Sequence, residues 1–228
     1  MIKKKETAKK EDACANKGSK GLLSFVDSFF VKYFVPLVPK GIETYHLTLL
    51  TILWSLIIIL GGYLSQFNIH WLWLVSGMIF MQYFTDVLDG AVGRARNTGL
   101  IKWGYYMDHF LDYIFLASII VAYAFLYPAE FHIYIMLELM LFGAFMINSY
   151  LEFSATGCFK IHYLGIGPTE VRLGFILVNI MIIFFARTYL LFLLPYVLGL
   201  AVLGLVVVIF RTQRKLWKMD EDVKGKKI

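Results

Sequence analysis

The sequence predicts an all-α integral membrane protein, with six transmembrane helices preceded by an N-terminal amphipathic interfacial helix. Three observations predict it. Hydrophobic residues fill 59% of the 228 positions and charged residues only 17%, whereas a soluble domain carries about 45–50% and about 25%. Mean hydropathy is +0.68. The apolar residues gather into six stretches near the length of a span, which needs about 20 residues. Six spans leave little room for a separate folded domain.

Residues 1–20 form a basic tail with Lys3, Lys4, Lys5, Lys9, Lys10, Lys17 and Lys20. They lack the apolar run of a secretory signal. Residues 21–40 mix aromatics with Asp27 and Lys32 and close on Pro36 and Pro39. Too short and polar to span, this segment is expected to lie in the interface. The membrane domain covers 41–212, with spans near 47–66, 69–89, 104–127, 131–153, 171–187 and 189–210. Gly61-Gly62, Pro128 and Gly165/Gly167/Pro168 read as punctuation between them. Only Arg187-Thr188-Tyr189 separates the last two. Residues 213–228 form a second basic tail.

Six spans place both termini on one side. With that side cytoplasmic, the 90–103 and 154–170 connections are cytoplasmic too, and Arg187 alone of the 22 basic residues falls outside. The positive-inside rule supports this arrangement. The net charge of +6 then reads as attraction to anionic headgroups rather than to nucleic acid, which a chain this apolar is not expected to bind. Cys14 and Cys158 have no metal-ligand spacing and suggest no disulfide framework.

Charged residues within spans are costly, at roughly 2.5–3.5 kcal/mol on insertion scales, and are functional by default. Asp86 and Asp89 end the second span; Asp108 and Asp112 open the third. Their i,i+3 and i,i+4 spacings put each pair on one helix face. The spans run in opposite directions, so the two acidic ends meet at one cytoplasmic depth. A lone aspartate there could simply face water. Four together would repel strongly unless a cation is present. Oxygen donors of this kind suit Mg²⁺ or Mn²⁺, and ligands from two facing helices can clamp two ions.

The residues read Asp86-Val-Leu-Asp89-Gly90-Ala-Val-Gly93-Arg94, then nine residues, then Gly104-x3-Asp108-x3-Asp112. This resembles the signature of the CDP-alcohol phosphotransferase (CDP-alcohol phosphatidyltransferase) family, D-x2-D-G-x2-A-R followed by G-x3-D-x3-D. Gly93 stands where the family usually has Ala. The resemblance implies that Asp86, Asp89 and Asp108 hold one metal ion, and Asp86, Asp108 and Asp112 a second. It implies that Asp112 is the general base that deprotonates an acceptor hydroxyl, which attacks the β-phosphorus of a CDP-linked substrate and expels CMP. Gly90 looks like the glycine that lets the nucleotide approach, and Arg94 like an arginine that contacts it. Thr98 falls where members often place a hydroxyl. Members often carry P-N-x-x-T before the first span; here Tyr45 replaces Asn, and Thr48 is carried over.

Gly167-Pro168-Thr169-Glu170-Val171-Arg172 opens the fifth span. Its Thr-Glu-Val-Arg, with Asp108-His109, is similar to the choline- and ethanolaminephosphotransferase branch. That resemblance would put Glu170 and Arg172 at the site, although Thr169-Glu170 also suits the acidic first turn of any helix. His109 lies about 100° from Asp108 on a helix, so it is expected to point off the metal face. His46 and His162 fall near the inner surface, and His70 and His132 on the outer side. Glu138 falls in the outer half of the fourth span.

The function expected is transfer of a phospho-alcohol or phosphatidyl group in phospholipid synthesis, with a lean to a CDP-aminoalcohol donor and diacylglycerol acceptor. The alternative is CDP-diacylglycerol with a water-soluble alcohol such as glycerol phosphate, serine or inositol phosphate. An intramembrane prenyltransferase is disfavoured because no second aspartate-rich motif follows residue 112. An ion transporter would place its carboxylates near the midplane. The implied partners are a CDP-linked substrate, a lipid and the bilayer. Many family members are homodimers, but the sequence itself specifies no dimer.

Overall fold

The computed structural model describes residues 24–98, 100–157, 167–185 and 187–225. The basic N-terminal tail with Cys14, and the connection holding Cys158, Lys160 and His162, lie outside the described residues. The described chain is helical: α1 (Ser24–Phe34), α2 (Thr44–Leu64), α3 (Leu72–Arg96), α4 (Ile101–Ala124), α5 (His132–Thr156), α6 (Pro168–Phe185) and α7 (Arg187–Gly225). Six helices among them are long and apolar enough to cross a membrane. The protein is therefore an all-α integral membrane protein with a short helix in front.

Aromatic packing fixes α1. Phe30 and Phe34 meet Phe80, Tyr83 and Phe84 of α3 edge-on, and Tyr83 donates a hydrogen bond of 2.7 Å to Asp27. Phe25, Phe29 and Tyr33 stay exposed, as suits a helix bathed in headgroups and acyl chains. The link from α1 to α2 is clamped by Arg96. Its guanidinium donates to the carbonyls of Ile42 and Val38 at 2.7 Å and of Pro39 at 3.2 Å.

α2 is the spine. Glu43 and His46 form a reciprocal capping box at its start, which satisfies two orphan donors. One face carries Thr44, Leu47, Thr48, Thr51, Ser55, Ile58, Gly61 and Gly62, all buried. Small residues of this kind let membrane helices approach closely. α3 and α4 each pack along this face. Gly61 and Gly62 do not punctuate α2; they lie inside it, at helix crossings. A Cβ on Gly62 would come within 2.5 Å of Ala122 Cα, and one on Gly61 within 2.9 Å of Val75.

α3 runs seven residues past the expected end at 89. Its last turn carries Arg94 and Arg96, which the dipole favours, and it stops at left-handed Asn97 (φ 56°). α6 packs on α3 through a buried polar node. Asn179 donates to Ser76 at 3.0 Å and accepts from Tyr123 at 2.9 Å. Around it Ile58, Val75, Ile79, Phe115, Ile119 and Ile182 form the main apolar core.

The second basic tail is not a separate segment as far as Gly225, because α7 continues through it. Lys215 on that extension pairs at 2.7 Å with Glu152 of α5, which is 2% exposed. Thr212 adds a contact to the same carboxylate at 3.4 Å. The outer faces of α5 and α7 are largely exposed apolar surface, as lipid chains require.

The Gly62–Ala122 crossing gives a test. Gly62→Val should destabilise the protein by about 3 kcal/mol or more, because the added methyls meet backbone that cannot move aside. Gly77→Ala, with nothing within 4 Å of its new methyl, should change stability by less than about 0.5 kcal/mol. Denaturation of purified protein in mixed micelles reads both.

Candidate active site

α3 and α4 carry the acidic motif, and both lean on α2 rather than on each other. Their carboxylates face one another across a cleft backed by α2 and flanked by α6. Asp108 is in electrostatic contact with Asp86, Asp89 and Asp112. One guanidinium nitrogen of Arg172 bonds Asp86 at 3.0 Å and Asp112 at 3.1 Å. The cleft therefore gathers all four aspartates predicted for it.

Arg172 comes from the first turns of α6. Its side chain is 6% exposed and lies over the Phe115 ring, 5.7 Å from the centroid. Asn179, two turns further along the same face of α6, sets the rotation that aims Arg172 inward. Thr48 donates to Asp89 from α2, so this carried-over residue is also at the cleft, supporting the acidic motif from behind.

The remaining predicted residues are placed differently. The Arg94 guanidinium folds back over Gly90, 3.1 Å from where a Cβ would stand, and it is near Asp89. Gly90 and Arg94 thus form an exposed patch one turn from the carboxylates. Thr98 is exposed just beyond Asn97, its amide bonded to the Gly93 carbonyl at 3.2 Å; among the described residues no contact joins its hydroxyl to the aspartates. Glu170 accepts from the Gly167 amide at 2.8 Å and so caps its own helix, the local role its position also allowed.

Two site residues escaped the sequence reading. Gln82 lies one turn before Asp86 and is 1% exposed. It comes within hydrogen-bonding reach of Asp112, while its carbonyl oxygen is buried without a partner among the described residues. A buried glutamine inside an apolar span was the available signal. His109 was expected to point away. Instead its ligand atom lies within 4.8 Å of those of Asp108 and Asp112, with Nδ1 3.6 Å from Asp108. The angular argument fixes only the direction of Cβ. Tyr105, ring to ring at 4.4 Å, and Tyr150 of α5, stacked at 5.6 Å, determine where the imidazole lies.

The donor set fits a divalent cation. Four carboxylates gather around the one buried guanidinium of Arg172, with Arg94 on the exposed flank near Asp89, so acidic groups outnumber the guanidinium groups beside them. The donors are hard oxygens with one imidazole alongside, which excludes the sulfur-rich chemistry of a structural zinc site.

Compared with known families, the chain matches the CDP-alcohol phosphatidyltransferase family over residues 39–210. That range holds the first five spans, the first part of the sixth and the whole acidic motif, and the chain belongs to this family. It is a membrane-embedded transferase of phospholipid synthesis, in a family that uses a CDP-linked substrate and a lipid and is generally dependent on divalent metal. A search of curated proteins and one of solved structures each returned no match.

Arg172 yields a prediction. Removing one partner of a buried ion pair costs about 3–5 kcal/mol, because the other charge is left uncompensated. Arg172→Gln should lower stability by that order in chelator. Added Mn²⁺ should restore much of it by neutralising Asp86 and Asp112. Equal losses with and without metal, read by thermal unfolding, would separate Arg172 from the acidic cluster.

Proposed function

We propose that this protein transfers a phospho-alcohol group from a CDP-linked amino alcohol to diacylglycerol, releasing CMP, with its site and both termini on the cytoplasmic side. The observation that carries the group-transfer reading is the meeting of Asp86, Asp89, Asp108 and Asp112 in one cleft, each pair on its own helix. The choice of donor rests on Asp108-His109 and Thr169-Glu170-Val171-Arg172, and orientation on the distribution of lysine and arginine.

Asp86, Asp89 and Asp108 would hold one Mg²⁺ or Mn²⁺ ion, and Asp86, Asp108 and Asp112 a second. When bound, two such ions spread the negative charge of the pyrophosphate and of the departing CMP. The residues do the rest. Gly90 leaves the helix surface bare for the nucleotide, and Arg94 beside it meets a phosphate or the base. Asp112 takes the proton of the acceptor hydroxyl. Arg172 holds one oxygen of that carboxylate, which turns the other toward the substrate. The hydroxyl oxygen bonds to the β-phosphorus as the bond from that phosphorus to the oxygen bridging to CMP breaks.

The test is a panel of CDP donors and acceptors with Mg²⁺ or Mn²⁺, reading CMP. Release with CDP-choline or CDP-ethanolamine and diacylglycerol supports the proposal. Release only with CDP-diacylglycerol and a water-soluble alcohol reverses the direction of transfer, and no release with any pair removes it.

Three substitutions follow from the assigned roles. Asp112→Asn should cut CMP release by at least about 10²-fold, the usual worth of a general base, while CDP-substrate binding by calorimetry is partly kept. Asp86→Ala should abolish metal-dependent turnover, since that carboxylate is shared by both ions. Gly90→Ala should fold normally, because its methyl meets only the mobile end of Arg94, yet raise KM for the nucleotide. An unchanged KM would leave Gly90 as a packing glycine.

A further inference from the structure

Gln82 is the buried polar residue of the cleft to which the reaction above gives no task. We propose that Gln82 is a positioning residue for the base: its side-chain nitrogen donates to Asp112 across the cleft and, together with Arg172, locks that carboxylate in the orientation that accepts the proton of the acceptor hydroxyl. The proposal rests on the assignment of Asp112 as the base.

The geometry places Gln82 on α3, one turn before Asp86. It is 1% exposed and within hydrogen-bonding reach of Asp112 on α4. An ionised carboxylate only accepts, so the amide nitrogen is the end that faces it. The turn of α3 that carries Gln82 is pinned to α2. Trp54 donates to the Thr85 hydroxyl at 3.3 Å, and that hydroxyl donates to the carbonyls of Met81 and Gln82 at 3.0 and 3.1 Å. Asp112 is thus held from two helices, by Gln82 of α3 and, at 3.1 Å, by Arg172 of α6.

Two observations separate positioning from packing. The first is that Gln82 is only half satisfied. A polar tie between spans does best with both ends of its amide bonded, as Asn179 achieves by donating to Ser76 and accepting from Tyr123. The Gln82 carbonyl oxygen is buried with no partner among the described residues, which costs stability that an apolar side chain of the same length would not lose. Breaches of this kind are expected where function requires them. The second is the capacity of Asp112. A carboxylate has about four lone-pair positions. Arg172 fills one, Gln82 a second, and the ion assigned to Asp112 above a third. One remains for the proton, and the Asp112 side chain is 24% exposed to the cleft from which that proton comes. Without Gln82 a second position opens and the carboxylate is free to rotate.

The experiment compares full-length wild type with Gln82→Met, which keeps the length and removes both polar atoms. Each is assayed in mixed micelles with the donor and acceptor pair that releases CMP in the panel above. The Met variant should resist denaturant at least as well as wild type. It should keep KM for the CDP donor within about twofold yet lose kcat by at least about tenfold, because a small misplacement of a catalytic group costs up to about 10²-fold. A second readout needs no turnover. Of the three glutamines, Gln66 and Gln213 are exposed. In wild type labelled with ¹⁵N in its glutamine side chains, one amide signal should therefore exchange slowly with water, and it should move in Asp112→Ala. An unchanged kcat in Gln82→Met overturns the proposal, as does an amide signal indifferent to Asp112→Ala. A Met variant that loses its fold, or KM along with kcat, makes Gln82 a packing residue and overturns it too. If wild type releases no CMP with any pair, the functional reading fails instead, and the amide signal still decides whether Gln82 bonds Asp112.

Discussion

Holding like charges together where water is scarce is the constraint on which the rest of this structure depends. Two unit charges 4 Å apart interact by about 4 kcal/mol at an effective dielectric of 20. Four aspartates multiply that repulsion. The protein answers with a buried guanidinium between Asp86 and Asp112, a hydroxyl from Thr48 on Asp89, and a cleft between the two helices that carry the charge. The charge still left over is what a divalent cation would neutralise, and the family this chain belongs to is generally dependent on one.

The scaffold exists to hold that cleft at fixed width. α2 takes both acidic helices on its small-residue face, and the tightest crossing, Gly62 on Ala122, lies at the far end from the aspartates. Asn179 ties α6 to Ser76 and Tyr123, and that tie sets the rotation at which Arg172 enters. Catalytic groups mounted on helices locked by packing and buried hydrogen bonds keep their geometry better than groups on loops. The Arg96 clamp and the Tyr83–Asp27 bond tie α1 and the link that follows it to α3.

Much of this was legible in the chain. The six spans follow from hydropathy because an unsatisfied backbone cannot cross a bilayer, which leaves helices as the local solution. The convergence of the four aspartates follows from helical spacing on two consecutive spans that run in opposite directions. Arg172 and Thr48 were singled out from short motif likeness, and both reach the cleft. Glu170 and Thr98 were singled out on similar grounds; one caps its own helix and the other stays at an exposed helix end. Sequence spacing says which helix face a residue occupies, and not whether a neighbouring helix comes close enough to use it.

What the sequence determined by itself was everything set within one helix: where apolar runs begin, which carboxylates share a face, and how much basic charge flanks the spans. Tertiary packing decided the rest. Gly61 and Gly62 look like a break and serve as a crossing, because glycine's missing side chain permits either outcome until a partner arrives. His109 looks turned away and lies beside Asp108, because Tyr150 of another helix fixes its ring. Glu152 and Lys215, 63 residues apart, become a buried pair only when α5 meets α7. Those contacts join atoms far apart in the chain, and no local pattern encodes the distance between them.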